Sequence, residues 1–135
     1  MKRTTTFGGL ALAGLLVLLW SAPAQADAGK GALDGKTFTG EMTEKGKTKG
    51  DKDTFTFKDG KFRSTACDAY GFTETAYTAT ANGSITTFEA TAQSPKEGTM
   101  KWKGTIKGGT VEGSAVWTKM GQADMNYTFK GTEKK

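Results

Sequence analysis

Histidine is missing from all 135 residues, which removes His-based nucleophilic triads, His-ligated zinc and haem held by histidine. A single cysteine, Cys67, has no second thiol in the chain to pair with, so no intramolecular disulfide staples the fold. Proline occurs only at Pro23 and Pro95. Beyond residue 26 the branched aliphatic residues shrink to Leu33, Ile85, Ile106, Val111 and Val116, while the same stretch holds 20 Thr, 16 Gly and 12 aromatics. A helical bundle cannot be assembled from so little leucine and so much threonine and glycine, and all-α is excluded.

One long apolar run is present, and it lies at the N-terminus. Lys2 and Arg3 precede residues 7–20, and Ser21-Ala22-Pro23-Ala24-Gln25-Ala26 follows with small residues flanking a cut before Asp27. Fourteen apolar residues are too few for a permanent bilayer span, and the pattern predicts a signal peptide over 1–26. Asp27, where a lipoprotein needs Cys, and the lack of paired arginines point to the general secretory route. The expected location is periplasmic or secreted, with no membrane span in the mature form. Without Lys2 and Arg3 the net charge falls from +5 to +3. The remaining lysines are dispersed among carboxylates, which argues against a nucleic-acid partner.

What is present reads as strands. A flexible lead-in is expected over 27–35, and a single domain over 36–135. Eight strand-like stretches occupy roughly 36–42, 53–58, 61–67, 72–81, 84–93, 98–107, 110–119 and 123–132. Asp59-Gly60, Asn82-Gly83 and Gly108-Gly109 supply two-residue turns between them. With those centres, Phe57 faces Phe62, Tyr77 faces Phe88 and Ile106 faces Val111, so apolar side chains share one face of each hairpin. Around Gly121 only an odd-length loop keeps the parity, pairing Trp117 with Met125 and Gly113 with Phe129. Gly104 and Gly113 then lie side by side, leaving a gap in the inner wall for Phe129. Eight consecutive antiparallel strands with one apolar face must hide two edges, and pairing the last strand with the first does so. The predicted fold is an eight-stranded antiparallel up-and-down barrel. The alternative is an open two-sheet β-sandwich.

The opening Leu33-Asp34-Gly35-Lys36-Thr37-Phe38-Thr39-Gly40 and the closing meander resemble, in topology, the calycin group of secreted barrels such as lipocalins and avidins. Gly35 with Phe38 stands where those families commonly carry Gly-x-Trp. The resemblance implies the barrel architecture and a tendency to bind small apolar ligands. It implies no biotin site.

The two ends of such a barrel differ. The three minimal turns lie at one end; the connections 43–52, 68–71, 94–97 and the turn around Gly121 lie at the other, where binding loops belong. Loop 43–52 carries Lys45, Lys47, Lys49 and Lys52 against Glu44 and Asp51, and reads as a solvated loop, a lid or an anion-attracting rim. Met42, Tyr70, Met100, Trp102, Trp117 and Met125 are the candidate ligand-binding residues near that mouth, with Trp102 one step deeper. Parity points the free thiol of Cys67 outward unless a bulge intervenes. The leading reading is a non-catalytic exported binder of a small apolar or aromatic ligand, with no cofactor. A protein-interaction module, an inhibitor or envelope assembly factor using the same loops, is the alternative. A third reading is a Cu(I) chaperone holding the ion through Met42, Met100, Met125 and Cys67. Glu74, Glu89 and Glu112 face outward by register, and no nucleophile with a base is visible, so catalysis is not expected.

Overall fold

The computed structural model describes residues 31–135, so the export signal expected over 1–26 and the start of the lead-in at 27–30 lie outside the described residues. Eight strands follow in order: β1 (Thr37–Glu44), β2 (Asp51–Lys58), β3 (Lys61–Ser64), β4 (Thr75–Asn82), β5 (Ile85–Ser94), β6 (Gly98–Lys107), β7 (Thr110–Thr118) and β8 (Met125–Glu133). A four-residue helical turn, α1 (Thr65–Asp68), interrupts them after β3. Every neighbouring pair is antiparallel, and β8 returns to pair with β1, closing the barrel. The closed ladder excludes the two-sheet sandwich. Among the described residues no helix is long and apolar enough to cross a membrane.

Three of the predicted registers stand. Phe57 pairs with Phe62, Ile106 with Val111, and the odd loop at Gly121 brings Trp117 opposite Met125. Asp59 and Gly60 both take positive φ, as do Gly108 and Gly109, the geometry of tight mirror-image turns. The wall gap at Gly104 and Gly113 is also as expected: a methyl on either would stand 2.9 Å from the ring of Phe129.

The turn between β4 and β5 differs from expectation. Asn82 pairs with Ile85, so the central residues are Gly83-Ser84 rather than Asn82-Gly83. Gly83 alone takes positive φ, 67°, as a turn with glycine in the first central position requires. The slip of two residues preserves the inward face. It also seats Phe88 opposite Ala79 and Tyr77 opposite Ala90, where the expected register sets two large rings side by side. Alternating large with small fills a barrel wall better.

The core is aromatic. Phe38, Phe55, Phe57, Phe62, Tyr77 and Phe88 are almost fully buried. Phe57 meets Tyr77 and Phe88 edge-on, with ring centres 5.0 and 4.9 Å away, and Trp102 packs on Phe62 and Phe129 at 4.9 and 5.2 Å. Below this cluster the lead-in, expected as flexible to residue 35, folds from residue 31 into a plug. Leu33 is 2% exposed. Its N–H donates to the Tyr77 hydroxyl at 2.8 Å, and that hydroxyl donates to Asp34 at 2.8 Å. Asp34 also accepts the N–H of Gly60 at 3.0 Å, tying the plug to the tight turn below.

Candidate functional site

The opposite end is built differently. Strand 3, expected to run to residue 67, stops at Ser64 because a buried carboxylate intervenes. Asp53 sits on the inward parity of β2, two residues before Phe55, and is 4% exposed. It accepts the N–H of Thr54 at 2.7 Å, the N–H of Ala66 at 3.0 Å and the hydroxyls of Ser64 and Thr65. These bonds draw residues 65–68 out of the ladder and into α1. Burial pushes the Asp53 carboxyl above its ordinary range, and the four donors work against that shift. The outward Cys67 expected from strand parity is therefore corrected: the helical turn brings the thiol inward, where it is 5% exposed and unpaired. Burial raises it to about 11, with the charges of Asp53 and Asp68 adding to the rise and a Ser64 hydrogen bond opposing it. At neutral pH it is a protonated thiol and a poor nucleophile.

Around Cys67 lies a cavity of about 260 Å³ at the loop end of the barrel. Met42 and Met100 form apolar walls with Cys67 and Phe72, and Tyr70, Trp117 and Tyr127 supply aromatic surface. Glu44, Asp51, Lys47 and Lys49 stand at the mouth. Four other depressions among the described residues are open grooves on the outer wall, lined mostly by threonine, glycine and charged residues.

The structure brings together four of the six candidate ligand-binding residues, Met42, Tyr70, Met100 and Trp117. Trp102 is not a wall of the cavity. At 3% exposure it belongs to the aromatic core beneath, between Phe55, Phe62 and Phe129. Met125 also lies outside the lining; its sulfur accepts a long contact from the Tyr127 hydroxyl, 3.9 Å. Of the four sulfur residues in the copper reading, Met42, Cys67 and Met100 share the cavity and Met125 does not. Among the described residues no group of three or more Cys, Asp or Glu side chains is arranged to hold a metal ion.

Half of the rim is fixed by hydrogen bonds. The Trp117 indole N–H donates to the carbonyl of Glu97, and Lys119 donates to the Glu97 carboxylate at 2.8 Å. Ser94 donates to the Tyr70 carbonyl at 2.7 Å and accepts the N–H of Glu97 at 3.2 Å, linking two loops through one hydroxyl. Tyr70 and Trp117 then face each other with ring centres 6.1 Å apart. The other half of the rim is loop 45–50, anchored to β8 by the Lys45 N–H on the Asn126 carbonyl at 2.8 Å.

Sequence reading missed Tyr127 as a cavity wall, together with Phe72, Glu44 and Asp51. Tyr127 was legible as an inward residue of β8, but the two carboxylates were assigned to a loop. Both strands reach further: Asp51 pairs with the inward Met42, and Glu44 pairs with Tyr127, so both acids hold inward positions of the barrel wall. The Tyr127 hydroxyl is raised by burial first, then by the negative field of Glu44, with Cys67, Tyr70 and Asp51 contributing.

No protein-family model matches this chain, and neither a curated protein nor a solved structure does.

Proposed function

We propose that this chain is an exported, non-catalytic binding protein of the calycin-like kind, holding one small apolar or aromatic molecule at the open end of its barrel. The observation that carries this reading is the confinement of a cavity of about 260 Å³ to the loop end, above a core packed with aromatic rings. Size narrows the ligand. An apolar cavity of roughly 150 Å³ holds benzene, and drug-sized pockets begin near 300 Å³, so the occupant has one or two rings. Export rests on the signal pattern of residues 1–26 and the absence of an anchor-length apolar run.

Desolvating such a ligand, with roughly 150–250 Å² of apolar surface, yields about 4–6 kcal/mol before any polar contact. That corresponds to a dissociation constant of about a millimolar to some tens of micromolar, so a polar group at the mouth has to supply the remainder. Native mass spectrometry of the exported protein should reveal a co-purified small molecule. Tryptophan fluorescence should change when one- and two-ring ligands are added, with most of that change lost in Trp117→Phe. A screen of such compounds leaving both signals unchanged would sink the reading.

The alternative, a protein-interaction module, is favoured by the exposed apolar side chains of the same loops. Met120 is 97% exposed and Tyr70 is 54% exposed. It predicts no fluorescence response to small molecules and a co-purifying protein that is lost when residues 94–97 are replaced.

A further inference from the structure

Resting on that binding reading, we infer that the ligand is an organic cation: an apolar body of one or two rings carrying an amine or quaternary ammonium group held by Glu44 and Asp51. The placement of charge at the mouth carries this. Both carboxylates belong to the barrel wall, because Glu44 stands opposite Tyr127 and Asp51 opposite Met42 in the strand ladder. The lysines at the mouth, Lys47 and Lys49, belong to the loop between β1 and β2. Lys45 and Lys52 are exposed and take no part in the lining.

Glu44 is also less exposed than the lysine paired with it, whereas Asp51 is exposed. Lys47 reaches Glu44 at 3.6 Å, yet its side chain is 64% exposed against 37% for Glu44. Both side chains line the mouth, and the lysine is the more exposed partner of the pair. The negative field of Glu44 and Asp51 is felt at the Tyr127 hydroxyl inside the wall. Aromatic faces complete the arrangement, since Tyr70, Trp117 and Tyr127 line the same space and π faces attract cations. Lys47 therefore acts as a stand-in: the chain's own ammonium pairs with Glu44 until a ligand ammonium replaces it. An acidic head group, the partner suggested by counting lysines in loop 43–52, would instead meet two carboxylates fixed on the wall.

The test uses three probes of matched size, 3-phenylpropylamine, 3-phenylpropanol and 3-phenylpropanoate, titrated into the mature protein by calorimetry and tryptophan fluorescence. The amine should bind about fivefold or more tighter than the alcohol, and the acid more weakly than either. Glu44→Gln combined with Asp51→Asn should bring amine and alcohol within about twofold of each other. Lys47→Met should tighten the amine, about twofold or more, by uncovering Glu44. An acid that binds as well as the amine, or an amine preference that survives the double variant, overturns the cation assignment and leaves the cavity reading standing. If none of the three probes binds, the cavity reading fails, and the cation assignment falls with it.

Discussion

The two ends of this barrel solve opposite problems with the same alternation of side chains. At the tight-turn end, inward positions hold phenylalanine rings and a plug formed by Leu33, and the buried Tyr77 hydroxyl has both its donor and its acceptor capacity engaged. At the loop end, inward positions hold thioethers, a thiol, partly exposed aromatics and two carboxylates around open space. One end is closed by volume and hydrogen bonding; the other is held open by loops that bond to each other rather than across the mouth. The difference teaches where stability and the proposed binding can be separated in a domain this small.

The largest expected effect belongs to the packed end. Trp102→Ala removes a ring in contact with Phe55, Phe62 and Phe129 and should destabilise by about 3–5 kcal/mol, measured by urea or thermal unfolding. That is a large share of a small domain's total stability. A variant melting like the parent would show that the core is looser than its ring contacts imply, and the contrast between the ends would break.

Next comes the plug. Tyr77→Phe leaves the buried N–H of Leu33 without its acceptor and should cost about 1–3 kcal/mol. The same residue gives the closed end a pH signature. Burial, with the hydrogen bond to Asp34 second, raises Tyr77 to about 12, against the ordinary value of about 10 in an unfolded chain. The folded state thus holds the proton more tightly. Its contribution is complete below about pH 10 and is lost as pH climbs towards 12. Over that window the parent should lose stability more steeply than Tyr77→Phe. Parallel curves for the two proteins would remove Tyr77 from the account.

Much of this division was legible in the sequence. Turn chemistry and face parity gave the closed barrel, the odd loop at Gly121 and the gap at Gly104 and Gly113, because each is a short-range rule with a period of two. The register at Gly83 was not legible: a two-residue slip leaves every side chain on the same face, and only the bulk of Tyr77 against Phe88 decides it. Cys67 was misplaced because α1 is made by bonds reaching back 13 residues to Asp53, a tertiary effect. A signal existed in the charged residue on an inward position two before Phe55. The folded part of the lead-in hid behind its polar composition, in which a single leucine does the packing. Glu44 and Asp51 were hidden by strand ends that run two residues further into the loop than the alternation suggested.

At the loop end the expected costs are smaller. Trp117→Phe keeps an aromatic ring beside Tyr70 but loses the indole N–H that donates to the Glu97 carbonyl. One hydrogen bond at a half-buried site contributes about 0.5–1.5 kcal/mol, so the melting temperature should fall modestly while the ligand-dependent fluorescence largely disappears. A loss of 3 kcal/mol or more would mean that Trp117 carries core packing, and the open end would then resemble the closed one.

The smallest expected effect is the sharpest test of separability. Glu44 and Lys47 form an ion pair at 3.6 Å with both side chains in contact with water. Such pairs contribute less than about 1 kcal/mol, because high dielectric and salt screen the attraction and two flexible side chains must be ordered to make it. Glu44→Gln keeps the size and inward position of the side chain and removes only its charge. Its unfolding curve should overlay that of the parent within about 1 kcal/mol, at both low and high salt. If Glu44 instead proved to stabilise the fold by more than 1 kcal/mol, its charge would be serving the barrel wall rather than the mouth. Stability and recognition would then not be divided between the two ends.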